Sequence, residues 1–323
     1  GGVVLAVINT PTYAPVWDPA NPKQYYTNFY GVNITSPSEN VARQKDNKTT
    51  SDRLLATGKA LITFMPGFTF SSSMTLDRGY EKVFNFLDPI ATTNGRENYG
   101  TGYDQRSLNT ILTFDNILSY NKQFGKHGLD VMAGSSWTSS KWSESWINAS
   151  HYANGYIKTL NAANEISWTG TGTSESEWAI MSYMGRLAYN YDSKYLVTAN
   201  LRADGSSKLA PGHRWGVFPS FSGAWRISSE NFMKNLTWID DMKIRGGWGQ
   251  TGNQSGLGDY SYLAAYNINR IAWFTTGNNN AVPNTTDQST LSYPDLTWET
   301  TSQTDIGLDL TILKNRLTFA MDY

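Results

Sequence analysis

The sequence predicts an all-β protein built from about ten long antiparallel strands. Apolar and polar residues alternate with a period of two, which is the strand period. Between Tyr195 and Asp204, Val197 and Leu201 share one face and Asn200 lies on the other. Short and long connections also alternate along the chain. Charged residues make up only 16% and aromatics 14% of the sequence, where soluble domains carry about 25% charged residues.

Composition excludes several classes of protein. The 323 residues carry a net charge of −1, so nothing favours general binding of nucleic acid. The chain contains no cysteine, which excludes disulfides and thiolate metal sites. No apolar run reaches the ~20 residues of a membrane-spanning helix. A membrane-spanning β-barrel remains possible, because its apolar residues alternate with polar ones that face the lumen.

The elements follow in order. Residues 1–51 predict a loop-like region rich in proline, asparagine and threonine, in which Val3 to Ile8 fit either a short helix or a strand. Alternating segments then predict strands at 52–64, 68–80, 105–122, 129–150, 178–191, 195–205, 214–227, 241–251, 297–312 and 316–323.

The connections between these strands differ systematically in length. Tight turns are predicted at 65–67, 125–128, 192–194 and 313–315, because glycine, proline, asparagine and aspartate favour turns. Long connections lie between them, at 81–104, 153–177, 206–213 and 252–296. The connection 228–240 falls on the side of the short turns and predicts one or two helical turns.

Two architectures fit these strands. A soluble β-sandwich would bury the apolar face as its core, and a barrel would turn that face to lipid. Short turns on one rim and long loops on the other are typical of outer-membrane barrels. Charges such as Arg186, Arg202 and Lys243 recur on the polar face, as a watery lumen permits. Aromatics such as Tyr195 and Trp225 cluster near strand ends, where interfacial girdles form, so the pattern favours the barrel.

The second half of the chain resembles a known family. The matching runs are YMGRLAYNYDSKYLVTANLRADGSSKLAPGHRWGVFPSFSGAWRISSENFM from Tyr183, WIDDMKIRGGWGQTGNQSGLGDYSY at 238–262 and YPDLTWETTSQTDIGLDLTILKNRLTFAMDY at 293–323. They closely resemble SusC-like (SusC/RagA) TonB-dependent transporters. The first half resembles this family more loosely, for example at NTPTYAP (9–15).

The resemblance implies an antiparallel transmembrane β-barrel of roughly 22 strands in the outer membrane of a Bacteroidetes-type bacterium. It implies that residues 1–323 form one partial barrel domain, with 1–51 on the extracellular side and about ten strands in 52–323. The family's plug domain and TonB box are not recognisable here, so we expect the chain to be a fragment. We also expect the segments DGSS (204–207) and TGNQ (251–254) to act as folding signatures.

The resemblance further implies a function. Such proteins import a nutrient, most often an oligosaccharide (glycan) and in some branches an oligopeptide. They act with a SusD-like surface lipoprotein and draw energy from TonB–ExbB–ExbD. We therefore expect a transport protein and not an enzyme. The alternative is an outer-membrane barrel that binds glycans or serves a structural role without transport.

Aromatic and amide side chains of the long loops are the candidates for binding substrate or the lipoprotein, because aromatic faces stack on sugar rings and also anchor protein contacts. They are Trp142, Trp146, Tyr152, Trp168, Tyr262, Trp273, Phe274, Asn278 and Asn279. No cofactor site is predicted, because no complete phosphate-binding glycine motif is present. No metal site is predicted either, since His127, His151 and His213 lack a second ligand at metal spacing.

Overall fold

The computed structural model describes residues 3–29, 32–33, 35–269 and 285–323. The α-helices are α1 (Val3–Asn9), α2 (Pro37–Asp46) and α3 (Thr93–Glu97), and 3-10 helices span Leu160–Ala162, Ile227–Ser229 and Asn231–Met233. The strands are β1 (Asn28–Phe29), β2 (Val32–Asn33), β3 (Lys48–Met65), β4 (Phe68–Leu87), β5 (Thr101–Phe124), β6 (His127–Tyr152), β7 (Ala163–Ile166), β8 (Gly172–Tyr191), β9 (Tyr195–Ser206), β10 (Trp215–Arg226), β11 (Ile239–Asn253), β12 (Ala265–Asn269), β13 (Thr285–Thr290), β14 (Glu299–Ile312) and β15 (Leu317–Asp322).

One large sheet confirms the predicted all-β fold. Its strand order is β3-β4-β5-β6-β8-β9-β10-β11-β14-β15, so each strand of this order lies beside the next one along the chain, with β7 and the β12-β13 hairpin inserted between them. Strand β7 pairs with the end of β6. Two small hairpins, β1-β2 and β12-β13, are separate from it. Within the described residues the sheet is not closed, because β3 and β15 have one neighbour each. No helix in the described part of the chain is both long and apolar enough to span a bilayer.

The chain folds as two units. The first comprises 1–55, 76–111 and 141–176, and holds the helices α1 to α3 with the adjoining ends of β3 to β6. The second comprises 56–75, 112–140 and 177–323. All ten strands of the main order contribute to this second unit.

The sheet of the second unit has one apolar and one polar face. Antiparallel pairing places Leu187, Ala199, Phe221 and Trp248 in one row across β8, β9, β10 and β11. Because successive side chains of a strand point to opposite sides, the neighbouring row of Arg186, Asn200, Ser220 and Gly249 faces the other way. We call these the apolar face and the polar face.

The apolar face is open rather than packed against a core. Leu201 is 55% exposed and Val217 is 57% exposed, and the large side chains Tyr183, Leu187 and Phe221 of the same face are similarly exposed. A sandwich would bury these side chains under a second sheet. An exposed, continuous apolar band is what a lipid-facing wall requires, since burial of large apolar patches is otherwise strongly favourable.

Balanced charges line one end of the polar face. Lys243 Nζ lies 2.8 Å from Asp309 Oδ2, and Arg245 bridges Asp309 at 3.3 Å and Asp322 at 2.5 Å. Arg226 Nε lies 3.4 Å from Asp241 Oδ1. Each charge is partly exposed, so these pairs add little to stability individually. They keep polar side chains ordered on a face that is suited to water. We call this group of six side chains the charge ladder.

Tight turns join the strands at the rim beside the charge ladder. Asp192 and Ser193 both have positive φ, 53° and 54°, as the two central residues of a type I′ turn require, and Lys194 N donates to Tyr191 O at 2.9 Å across this turn. Lys126 Nζ bonds Asp192 Oδ2 at 2.9 Å and so ties this turn to the neighbouring one. The connection after β10 forms two 3-10 helices, which agrees with the predicted helical turns.

Glu230 holds this last connection in place. Its carboxylate accepts hydrogen bonds from Tyr195 Oη at 2.7 Å, Trp225 Nε1 at 3.3 Å and Lys194 Nζ at 3.4 Å. These donors, led by the Tyr195 hydroxyl, keep the pKa of Glu230 below its ordinary value of 4.5. The aromatic rings of Tyr195 and Trp225 are thereby fixed with their polar atoms toward the turn.

We expect this turn to loosen in acid. Because the folded state lowers the pKa of Glu230, its stabilising effect is fully present above pH 4.5 and disappears as the pH falls through the folded pKa. The protection factors of the amides at 227–233, which correct for the intrinsic pH dependence of exchange, should therefore fall as the pH drops below 4.5. Glu230→Gln should exchange faster at neutral pH and lose this dependence; an unchanged acid response in the variant would contradict the assignment.

The first unit has a small core of its own. Phe86 from β4 meets Tyr152 from β6 edge-on, with ring centroids 5.1 Å apart. Ala149 completes the buried cluster, and Leu160 and Ala163 pack against it. The core lies where β4, β6 and the start of β7 converge, so it fixes the base of the loop that follows β6.

Helix α2 is pinned to this unit through a buried carboxylate. Ser36 caps the helix by accepting a hydrogen bond from Glu39 N at 3.1 Å. The Glu39 side chain is fully buried and accepts hydrogen bonds from Thr93 N and Thr93 Oγ1, both at 2.9 Å. Such bonds to a charged acceptor are stronger than neutral ones, and here they join α2 to α3.

The structure differs from the predicted elements in several places. The apolar start is helix α1, and α2 was not predicted within the loop-like residues 1–51. Strand β4 continues to Leu87, and β5 begins at Thr101, so the connection between them is shorter than predicted. The short strands β7, β12 and β13 were also missed. Charged residues such as Glu81 and Lys82 interrupt the alternation, but an exposed strand end tolerates them.

Candidate functional site

Two of the predicted binding residues share one face of β6. Trp142 and Trp146 are four residues apart on the strand, so both point to the same side, together with Glu144. Both indoles are partly buried. The Trp146 ring lies over Gly172 of β8, where an added methyl group would come within 3.0 Å of it. The absence of a side chain at Gly172 therefore makes room for this indole.

Tyr152 is part of the first unit's core rather than its surface. Its side chain is 4% exposed, and burial raises the pKa of its hydroxyl. Among the described residues, the hydroxyl has no hydrogen-bond partner. In this structure Tyr152 supports the loop and does not present its ring to a ligand.

Trp168 is displayed at the tip of the connection between β7 and β8. It is 81% exposed, and its neighbour Ser167 is held at both ends. Ser167 N donates to Asn148 O at 2.9 Å, and Ser167 Oγ accepts from Gly170 N at 3.0 Å. Tyr156, in the preceding connection between β6 and β7, is 92% exposed. Large exposed aromatics on a tethered loop are typical of interaction surfaces.

The remaining predicted residues lie elsewhere. Tyr262 belongs to the second unit, where it is half-buried and its carbonyl accepts a hydrogen bond from Ser292 Oγ at 3.0 Å. Trp273, Phe274, Asn278 and Asn279 lie outside the described residues. The nine residues are thus not shown as one site.

A cleft that no sequence pattern predicts lies on the polar face of the second unit. The cleft has a volume of about 490 Å³, within the ~300–1,000 Å³ of small-molecule sites. Its walls combine amides, hydroxyls, one ion pair and two aromatic rings. We call it the polar cleft; the side chains used below are Asn200, Arg202, Asp204, Phe218, Asn253, Gln254 and Trp298.

The ion pair orients a cationic group toward the polar cleft. Arg202 Nε lies 2.8 Å from both oxygens of Asp204, and its terminal nitrogen donates to Ser182 Oγ at 3.1 Å. The Asp204 side chain is 10% exposed, whereas that of Arg202 is 48% exposed. Arg202 therefore keeps part of its guanidinium available to a ligand.

Two aromatic rings meet at the upper wall of the cleft. Phe218 and Trp298 contact edge-on, with ring centroids 5.5 Å apart. Trp298 Nε1 donates to Arg214 O at 2.9 Å, which fixes the indole plane. A methyl group at Gly216 or at Gly252 would overlap the Phe218 ring, so both glycines are needed for this packing. The Trp298 ring is half-buried and forms part of the cleft lining.

A hydrogen-bond network links the DGSS and TGNQ segments. Ser206 is buried and its hydroxyl bonds Gln254 Oε1. The Ser206 hydroxyl oxygen also accepts a hydrogen bond from Lys208 N at 3.1 Å, and Lys208 Nζ lies 3.0 Å from Asp259 Oδ1. Because these side chains satisfy one another, the network supports the prediction that the two segments serve folding. It also positions Asn253 and Gln254 at the cleft.

The described residues contain no cluster of three histidine, cysteine, aspartate or glutamate side chains that could hold a metal ion. Within the same part of the chain, His127 contacts Tyr189 Oη at 2.6 Å, and His151 lies 3.2 Å from Glu165. Each histidine thus contacts a side chain of the protein, a tyrosine hydroxyl for His127 and a carboxylate for His151.

These observations define a class of protein. An apolar face open to its surroundings, a polar face with balanced charges, and short turns opposite long connections make this chain part of a membrane-spanning β-barrel wall. The sequence matches the family described as "TonB dependent receptor-like, beta-barrel" over residues 5–323. The chain belongs to this family.

Individual relatives agree with this assignment. The chain is 35% identical over 269 residues to "TonB-dependent receptor P39" of Formosa agariphila, covering 81% of the chain and 24% of that protein. It is 30% identical over 234 residues to "TonB-dependent receptor SusC" of Bacteroides thetaiotaomicron, covering 71% and 22% respectively. The chain thus spans about a quarter of the length of these relatives.

A solved structure shares the fold. "Structure of the RagAB peptide transporter" superposes with a TM-score of 0.79 at 22% identity, covering 93% of this chain and 32% of that one. Family membership and fold confirm the predicted resemblance to SusC-like proteins and the partial barrel. Family membership also places the chain in the bacterial outer membrane, in a family of TonB-dependent receptors rather than enzymes.

Proposed function

We propose that the protein containing this chain imports a nutrient across the outer membrane, and that this nutrient is an oligosaccharide. The observation that carries this proposal is the polar cleft, in which Asn200, Asn253 and Gln254 surround a cavity beside the Trp298 ring. Amide side chains can both donate hydrogen bonds to hydroxyl groups and accept hydrogen bonds from them, and an aromatic face stacks on the apolar side of a sugar ring. An oligopeptide is the alternative cargo, since amides and Arg202 also suit peptide groups.

The exposed loops of the first unit are proposed to meet a partner. Trp168 and Tyr156 are too exposed to serve the fold, and aromatics of this kind anchor protein interfaces. We assign them to contact with a SusD-like surface lipoprotein, with the substrate held between it and the barrel. Trp142 and Trp146 remain candidates for the substrate side, as do Trp273, Phe274, Asn278, Asn279 and Tyr262. Residues 1–51 are assigned to the extracellular side of one partial barrel domain.

Energy for uptake is proposed to come from TonB–ExbB–ExbD, acting through a plug domain and a TonB box. The chain itself supplies wall and loops. A barrel that binds glycans without transport is the second candidate, because cleft and exposed aromatics would serve adhesion equally well.

Uptake by cells that carry the full-length protein tests the proposal. We expect Trp298→Ala to reduce the uptake of a labelled cargo oligosaccharide at limiting concentration by roughly two- to twelvefold, as loss of one aromatic contact of about 0.5–1.5 kcal/mol implies. Trp248→Ala, the same change on the apolar face, is the control, with variants compared at equal amounts of folded barrel.

Two results would overturn parts of this proposal. Cargo that stays at the cell surface, and is unaffected when the proton-motive force is collapsed, would indicate binding without transport. Binding of oligopeptides but not oligosaccharides by the purified full-length protein would show that the cargo is an oligopeptide.

A further inference from the structure

A second cleft opens on the apolar face of the second unit. Its volume is about 240 Å³, and its lining is largely apolar. Trp137 from β6 and Trp215 from β10 form its two ends, and Met181 of β8 and Gly205 of β9 lie between them. Arg214 completes the lining. We call it the outer cleft.

The outer cleft is built by one row of the sheet. Met181 pairs with Gly205, and Gly205 pairs with Trp215, so the three residues share the apolar face. A methyl group at Gly205 would come within 2.8 Å of the Trp215 ring; the glycine thus lets the indole lie flat against the strand. Tyr183 stacks on the other side of this indole, with centroids 5.9 Å apart at 18°. The walls are therefore fixed by packing.

The position of the row identifies the surroundings of the cleft. It stands at the end of β9 and β10 that leads into the connection 207–214, opposite the tight turn at 192–194. Long connections of outer-membrane barrels are extracellular. The next row toward the middle of the strands contains Tyr183, Ala203 and Val217, which continue the lipid-facing band. The cleft is thus continuous with the surface that contacts the outer leaflet.

A cationic group stands at the mouth of this cleft. Arg214 immediately precedes Trp215 and is exposed. Within the described residues, its guanidinium makes one long hydrogen bond, from Nε to Leu209 O at 3.4 Å, and pairs with no carboxylate. Arginine binds phosphate with two parallel hydrogen bonds, and its remaining donors are available for this.

We propose that the outer cleft binds a phosphorylated glycolipid of the outer leaflet, with one acyl chain between Trp137 and Trp215 and a phosphate on Arg214. The apolar lining suits a hydrocarbon chain, and the indoles at the two ends of the cleft stand at the depth of the membrane interface. The guanidinium of Arg214 matches the anionic headgroup in charge. Continuity with the lipid-facing band selects a lipid over a protein partner.

The test uses the full-length protein, purified in detergent and freed of lipid. Native mass spectrometry then compares binding of phosphorylated lipid A with that of the same lipid after enzymatic dephosphorylation. We expect the phosphorylated form to bind about tenfold more tightly, and Arg214→Gln to abolish this preference. Arg316→Gln, a basic residue at the opposite rim, is the matched control and should keep the preference.

A second variant tests the hydrocarbon site without touching the charge. Met181→Trp should fill the cleft and reduce the binding of both lipids. The variant should still fold, which its heat-modifiable mobility in gels would show. Equal binding of the two lipids by the unaltered protein, or an unchanged preference in Arg214→Gln, would overturn the proposal. Full displacement of the lipid by millimolar inorganic phosphate would also overturn it, since the site would then recognise free phosphate alone.

Discussion

Leu201→Arg is expected to destabilise the folded barrel by at least about 2–4 kcal/mol, the usual effect of a lipid-facing cation near the bilayer midplane. Leu201 lies on the apolar face and is 55% exposed. On the opposite face of the same strand, Thr198→Arg should change the free energy of unfolding by less than about 1 kcal/mol, because a watery lumen solvates the guanidinium.

The depth of Leu201 follows from the strand register. The row Gly205–Trp215 and the row Tyr195–Trp225 are ten residues apart. That separation is ~34 Å of strand, which a tilt of about 40° reduces to ~26 Å, close to the apolar band of outer-membrane barrels. Leu201 is near the middle of this interval.

Reversible denaturant unfolding of the full-length protein in lipid bilayers measures both variants. If Thr198→Arg lowered the free energy of unfolding as much as Leu201→Arg, the assignment of the two faces of β9 to lipid and lumen would be wrong.

Phe218→Ala is expected to destabilise the second unit by roughly 3–5 kcal/mol, as removal of a buried phenylalanine ring commonly does. Phe218 is 6% exposed, although it stands on the polar face. Its ring occupies the space that Gly216 and Gly252 leave free, and meets Trp298 edge-on. Gly216 and Gly252, which line this space, have no side chains with which to fill the gap left by alanine, so we expect a cavity.

Loss of this ring should be felt locally as well as globally. We expect amide exchange of Gly252, Asn253 and Gln254 to accelerate, because the packing that holds them beside the polar cleft is lost. Phe218→Leu keeps most of the apolar volume and should recover more than half of the lost stability. Unaltered exchange at these three amides in Phe218→Ala would show that the ring does not hold this segment.

Much of the wall was predictable because its determinants are local. The alternation of Val197, Leu201 and Asn200 specifies a strand and its two faces, and the structure confirms both. Helix α2 carried a readable signal as well: Ser36 with Glu39 forms a capping-box pattern, and Pro37 occupies the first helical turn. The helix was not predicted, because the prolines and asparagines around it favour a loop.

The polar cleft could not be predicted, because its parts are distant in sequence. Phe218 of β10 and Trp298, which immediately precedes β14, meet across the intervening strand β11, and no local pattern encodes that contact. Tyr152 was predicted to bind a ligand, but its position at the end of β6 turns the ring into the core with Phe86. Strand periodicity specifies a face and does not specify what covers it.

The charge ladder has a consequence for selectivity. Its three cations, Arg226, Lys243 and Arg245, are matched by three carboxylates, those of Asp241, Asp309 and Asp322. Opposite charges held this close cancel beyond about one Debye length, ~8 Å at physiological ionic strength. This stretch of wall therefore exerts no net long-range field, and it neither attracts nor repels a passing solute by its charge. For the proposed import, discrimination among solutes would therefore be left to short-range contacts and shape.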